Sequence, residues 1–445
     1  VKTYAYSRVL AVATALLASP AMAEQFGPFE ISGFAKDEFS VCDNCSRGLV
    51  NPSPYDPRGV LSPPTPMVNQ GGKSDRTSAN LGLVMLTVGA THEFDNAVKI
   101  EGKLSARMRN FDADIFGHWL TDGYVGISHP KAGSLDIGKM TSRSWTRSDS
   151  FAYPVGLSSP WAESGAGYGI FPYAVRYATR EFEIPIGKIR FEATAGGAKK
   201  RNPLNKSSLT EDPPNPRIYE LFVQYSNEKN LIELIYQDSR GGRQSSFSKG
   251  AFYGAQGNTN DAATSPGYKR PSENVLILQG NYWLNPTWKF TYGIKRSDWS
   301  GQQQQCDYGI VSGVASDCYW DQPGFNYASD FKMHSAVEYD GMLGASYTHK
   351  VWTYTLAGVR MNKAYTRTPT EWGQSNTATF LNLGVYRKLP ELYKNMEIYG
   401  GVGRVMYGRQ GPAPLSMPNN TAFGGVDPRT SESGNFFTIG MNFTF

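Results

Sequence analysis

Gly434 to Phe445 reads G-N-F-F-T-I-G-M-N-F-T-F, and it decides the fold class. Phe437, Ile439, Met441, Phe443 and Phe445 share one parity, and Thr438, Gly440, Asn442 and Thr444 share the other. Side chains alternate across a strand, so this segment presents one continuous apolar face and one small, polar face. A soluble sandwich strand can alternate in the same way. As the end of a chain with a leader and many similar segments, the pattern instead predicts a lipid-facing strand of a transmembrane barrel.

The leader lies at the other end. Lys2 and Arg8 precede an apolar run from Val9 to Ala18, and Ala21-Met22-Ala23 supplies the small residues of a cleavage site before Glu24. The expected division is therefore a signal peptide over 1–23 and a single barrel domain over 24–445. The apolar run is too short for a spanning helix, which needs roughly 20 residues, and no later segment approaches one. Only helices and closed barrels satisfy every backbone polar group in hydrocarbon, so a membrane assignment must be a barrel. The 26 Tyr, 23 Phe and 47 Gly suit that class. A net charge of +5, two units of which leave with the leader, and the lack of a basic run interleaved with aromatics give no signal for nucleic acid.

Alternation and turn residues predict sixteen strands: Phe29 to Phe39, Ser78 to Glu93, Ala97 to Arg109, Leu120 to Ser128, Ser134 to Thr141, Tyr173 to Phe182, Lys188 to Gly196, Ile218 to Tyr225, Leu231 to Gln237, Asn274 to Trp283, Trp288 to Ser297, Met333 to Thr348, Trp352 to Met361, Thr377 to Tyr386, Met396 to Tyr407 and the terminal strand. Long and short connections alternate strictly between them, as in a barrel with short periplasmic turns and longer external loops. The clearest internal strand sets Val98, Ile100, Gly102, Leu104, Ala106 and Met108 against Lys99, Glu101, Lys103, Ser105, Arg107 and Arg109. One row meets lipid and the other a water-filled lumen. Leu81 to Ala90, Val359 to Ala364 and Met396 to Val405 leave their parity open. Trp283, Trp288, Trp352, Phe182 and Phe445 gather at the short turns, where amphipathic rings favour the membrane boundary.

The leader, the sixteen alternating strands, L-T-D-G-Y-V-G-I-S-H-P-K-A-G-S-L-D-I-G-K-M at Leu120 to Met140, and the terminal Phe445 together resemble the general outer-membrane porins of Gram-negative bacteria, especially the β-proteobacterial type. The resemblance implies an all-β antiparallel barrel whose third external loop, here Trp145 to Pro172, folds inward to narrow a pore. It also implies a homotrimer in outer-membrane lipid, and an assembly signal at Phe445. Lys139 stands where the family usually has arginine, and the loop lacks the family's P-E-F-G cluster, offering only Asp149 and Glu163 as acids. Arg107, Arg109, Lys139, Arg143, Asp149, Glu163 and Arg176 are the candidate constriction and lumen residues. Basic groups exceed acids on the inward rows read from the sequence, which predicts a modest anion preference in a passive channel for small hydrophilic solutes and ions.

Cys42 and Cys45, and Cys306 and Cys318, fall in long external connections in an oxidising location, so two local disulfides are expected. Ser46 after Cys45 breaks a haem-attachment pattern, and the five histidines lack zinc-ligand spacing to either pair. No cofactor is implied. A C-x-x-C near the mature amino terminus also occurs in barrels that sheath multihaem cytochromes for electron transfer, which is the alternative function. An enzyme is the third class, and no histidine here sits in a recognisable nucleophile or metal motif.

Overall fold

The computed structural model describes residues 24–26, 29–43, 76–109, 120–150, 161, 169–197, 217–240, 272–302, 309–311, 314–316, 333–362, 365–366, 378–407 and 433–445. Sixteen antiparallel strands form the wall. They are β1 (Phe29–Asp43), β2 (Arg76–Glu93), β3 (Lys99–Arg109), β4 (Leu120–His129), β5 (Gly133–Thr141), β6 (Ile170–Ala178), β7 (Gly187–Gly197), β8 (Arg217–Ser226), β9 (Asn230–Arg240), β10 (Ser272–Trp283), β11 (Trp288–Gln302), β12 (Met333–His349), β13 (Trp352–Met361), β14 (Ala378–Lys388), β15 (Met396–Tyr407) and β16 (Ser433–Thr444). Each pairs with its sequence neighbours, and β16 pairs with β1 over Phe34↔Thr444 to Asp43↔Asn435, so the sheet closes and no edge remains. Three short pieces, Glu24–Phe26, Phe182–Ile184 and Tyr365–Thr366, extend the wall.

The final residue takes part in the closure. Phe445 N donates to Gly33 O at 3.0 Å and Gly33 N donates to Phe445 O at 2.9 Å. A Cβ on Gly33 would stand 2.2 Å from the Met85 carbonyl oxygen and 2.8 Å from the Phe445 ring, so only glycine allows that approach. Phe445 stacks on Phe443 at 5.3 Å, and Phe443 meets Tyr393 edge-on at 5.1 Å.

The terminal strand's parity is as its sequence predicts: Phe437, Ile439 and Met441 face outward and are exposed, while Thr438 is buried inside. Two of the open parities resolve through pairing. Val84, Leu86 and Val88 share the outer row of β2, because they oppose Ala35, Gly33 and Ile31, and inward Leu83 packs with Phe34. Val402 and Ile398 face outward on β15 and Tyr399 inward. β6 starts earlier than expected and ends at Ala178, where the chain breaks before Phe182–Ile184.

Two aromatic rings mark the ends of the outer band. At the short turns, Trp288 lies 4.9 Å from Tyr347, which stacks on Tyr354 at 6.4 Å. Trp283 is an exception, since it continues the inward row of Gln279 and Asn281 opposite Lys289. Toward the long connections, Tyr173, Tyr219, Tyr236 and Tyr339 are exposed on the outer surface, a second ring that the short-turn aromatics alone did not reveal.

The third long connection contains a feature the sequence reading treats as loop: α1 (Arg143–Ser150). Ser142 is its N-cap, its hydroxyl oxygen accepting from Trp145 N at 3.1 Å. The motif S-R-S-W holds that cap, but expectation of a long external loop masks it.

Candidate functional site

Three glutamates on adjacent strands, Glu192 on β7, Glu220 on β8 and Glu233 on β9, project inward and are almost wholly buried. Isolated carboxylates in that state would be costly. Each is satisfied by the helix that lies across them. Glu220 accepts from the backbone N–H groups of Arg143 (2.7 Å) and Ser144 (3.0 Å), filling the free donors of the first helical turn with a negative charge. Glu192 accepts from both arms of the Arg143 fork, at 2.6 Å and 3.2 Å, and from Arg190 at 2.9 Å. Glu233 accepts from Arg147 Nε at 2.6 Å, Gln224 at 2.8 Å and Gln279 at 2.9 Å. Gln237 joins the set, donating to Ser144 Oγ at 2.8 Å and to Glu220 at 3.1 Å.

Burial works against the Arg143 charge, but Glu192 and Glu220 outweigh it and its pKa is raised. Arg143 is therefore a permanent cation in this network.

Trp161 takes the same connection further round the wall. Its indole N–H donates to Gln279 at 2.8 Å, its carbonyl oxygen accepts from Lys295, and the Lys295 ammonium lies 4.3 Å from the ring centroid. Gly293 makes room, since a Cβ there would stand 2.8 Å from the indole. Just before β6, Gly169 O accepts from Ser142 N at 2.9 Å. From β7 to β11, five consecutive strands thus hold α1 or Trp161 against the inner wall.

The candidate residues divide accordingly. Arg107 faces inward and stacks on Trp145 at 5.7 Å, joining β3 to α1. Arg143 anchors α1, and Arg176 is 5% exposed, bonded to Thr194 Oγ1 (2.9 Å) and Thr141 O (2.6 Å). Arg176 thus stiffens the wall instead of lining the pore. Lys139 pairs with Gly123, whose outer face is approached by Leu104 and Leu120, so it belongs to the outward row of Leu135 and Ile137. Met140 continues the inward row of Asp136 and Gly138, and the bulge opposite it adds a residue to β6, so that Phe171 and Ala174 both face inward beside it. The side chains of Arg109 and Asp149, and all of Glu163, lie outside the described residues, as do Cys45, Cys306, Cys318, the Cys42 side chain and the leader.

Charges that the sequence reading did not weigh complete the interior. Glu38, Asp122, Glu220, Glu233 and Glu397 also face inward and nearly balance the bases. What differs between the signs is exposure. The side chains of Glu192 and Glu233 are 2% and 0% exposed, whereas those of their partners Arg143, Arg147 and Arg190 are 30%, 30% and 37% exposed. At the level of α1 the carboxylates lie behind and the guanidiniums face the lumen. Parity alone cannot show this, because it depends on what covers each residue.

No protein-family model and no curated protein matches the chain. Solved structures do resemble it. An anion-selective porin from Comamonas acidovorans superposes with a TM-score of 0.56 at 12% identity, over 94% of this chain and 99% of that one. The outer membrane channel DcaP of Acinetobacter baumannii gives 0.53 at 10%, over 96% and 100%. Salmonella typhi OmpF in complex with daunomycin gives 0.52 at 11%, over 95% and 100%. At these identities the likeness is one of fold, and the fold is that of the Gram-negative outer-membrane porins.

Proposed function

We propose that the chain is an outer-membrane porin, a water-filled channel through which small hydrophilic solutes and ions diffuse down their gradients, with a modest anion preference. The barrel supplies the route. Its outer surface is an apolar band bounded by two aromatic rings, the surface a lipid bilayer requires, and its inner surface is polar. The narrow point in this reading is the level of α1 and Trp161, which occupy lumenal space on the inner wall. Homotrimer assembly, as in the family the sequence resembles, belongs to the same proposal.

The preference rests on one observation: at α1 the arginines face the lumen and their carboxylate partners are buried beneath them. An ion at the narrowest level meets the guanidinium surface first, and a Debye length of about 8 Å at physiological salt leaves that charge incompletely screened. The anion-selective neighbour from Comamonas acidovorans fits the same reading. Reversal potentials across planar bilayers in asymmetric KCl test it. The parent should pass chloride about threefold better than potassium, and Arg190→Gln should bring that ratio toward unity. Cation selectivity in the parent, or an unchanged ratio in the variant, would refute the assignment.

A further inference from the structure

Three outward-facing arginines on upward strands share one level. Arg296, Arg360 and Arg404 lie equally far past their short turns, at 288 to 296, 352 to 360 and 396 to 404. Eight residues of tilted strand rise roughly 20 Å, close to the top of an apolar band about 25 Å tall. The three arginines occupy alternate strands, β11, β13 and β15, so successive ones stand roughly 10 Å apart around the wall. All three side chains are exposed.

The same level elsewhere carries acid: exposed Asp37 on β1, from 29 to 37, and Asp238, on the outward row of β9 but buried, from 230 to 238. Outward cations occur elsewhere, as Lys139 on β5 and Arg217 at the external end of β8, but β11, β13 and β15 carry three at one level on successive upward strands. Within this arc Arg296 pairs with Asp298 at 2.8 Å, and Arg360 donates to Thr379 Oγ1 at 2.5 Å and to Asn362 Oδ1 at 3.3 Å. Those bonds hold Arg360 splayed against the wall through neutral acceptors, which leaves its charge uncompensated by them.

The wall beneath the arc is built for chains. Ile294, Leu343, Leu356, Leu381, Leu383 and Val402 face outward, with Leu343 72% exposed. Gly341 lies between Ile294 and Arg360 on the pairing ladders, and nothing stands within 4 Å of where its Cβ would be. An open notch thus leads from the apolar wall to a guanidinium, with exposed Tyr339 beside Arg296 above it.

We propose that Arg296, Arg360 and Arg404, with Tyr339 and the Gly341 notch, seat the phosphate headgroup of an anionic membrane lipid at the external boundary, its acyl chains lying along the rows below. Cations directly above a continuous apolar face match an amphipathic anion, whereas a soluble anion has no use for that face. The site rests on the membrane-channel reading, and its test separates the two.

The full-length barrel, purified in a zwitterionic detergent, is titrated with dioleoylphosphatidylglycerol or dioleoylphosphatidylcholine and read by native mass spectrometry, with single-channel conductance measured on the same preparations. The anionic lipid should be retained about tenfold better than the zwitterionic one. An Arg296→Gln/Arg360→Gln/Arg404→Gln variant should lose that difference while keeping parental conductance, and the corresponding triple lysine variant should retain part of it. Equal retention of both lipids by the parent, undiminished retention by the glutamine variant, or full displacement by millimolar inorganic phosphate would overturn the lipid seat. If the triple variant does not assemble, the single Arg360→Gln and Arg404→Gln variants must each show a graded loss. Lipid retention without conductance would refute the channel and leave the seat standing.

Discussion

On the outer face of β16, Phe437, Ile439 and Met441 can be understood from their own twelve-residue strand. On the inner wall, Glu192, Glu220 and Glu233 take their roles from Arg143 and Arg147, which lie 49, 77 and 86 residues away in sequence. The difference is in the solvent. Lipid is the same everywhere, so any outward residue meets it if it is apolar, and alternation alone suffices. The interior is polar and partly filled by the chain itself, so each inward charge needs a particular partner.

The comparison breaks most visibly at the seam. Deleting Phe445 removes both its bonds to Gly33 and its stack on Phe443. Outer-membrane yield and heat-modifiable gel mobility should fall to a small fraction of the parental values, while trimming within 408–432 should leave them near normal. Equal yields for the two deletions would show that closure does not depend on the last residue.

A charge on the uniform face comes next. Leu343→Arg places a cation outward, midway along β12, at a cost of about 2–4 kcal/mol. Gln224→Arg on the inner row of β8 should change stability by less than about 1 kcal/mol, since a half-buried lumenal side chain still reaches water. Denaturant titration of both in lipid vesicles measures the contrast. Similar losses would show that the two faces are not solvated differently.

The inner network predicts a smaller but more specific effect. Glu233→Ala leaves Arg147, Gln224 and Gln279 without their common acceptor, so stability should drop by about 1–3 kcal/mol. Because α1 then loses one of its two arginine anchors, single-channel records should also become noisier. Quiet channels of parental conductance would separate the helix from the narrow point.

The smallest effect tests backbone geometry alone. Ala97, in the turn between β2 and β3, has φ of +62°, a conformation that costs a residue with a Cβ roughly 1 kcal/mol. Ala97→Gly should raise stability by up to about 0.5–1 kcal/mol, checked on the same titration, without altering conductance.

Much of the barrel was legible in the chain. Sixteen strands, the alternation of long and short connections and the direction of β3 and β16 follow from period-two patterns that each strand carries within itself. The site was legible only in part. The inward direction of Arg107 follows from its strictly alternating row, and the same alternation puts Lys139 on the outward row of Leu135 and Ile137. The burial of Arg176 and the anchoring of α1 by Arg143 could not be read from type or spacing, since both look like ordinary lumenal cations. Ser142 signalled a helix start, yet the segment around it reads as loop when only strands and connections are expected.

Sequence alone determined that the chain is a barrel with an apolar exterior, because a periodicity of two in many short segments has one membrane-compatible solution. Tertiary structure decided where its charges act. Only closure of the sheet brings β7, β8 and β9 under α1, and only that contact buries three carboxylates while leaving their arginines facing the lumen. Charge sign is a property of a residue, but its exposure depends on what lies over it, and the covering segment is far away in the chain.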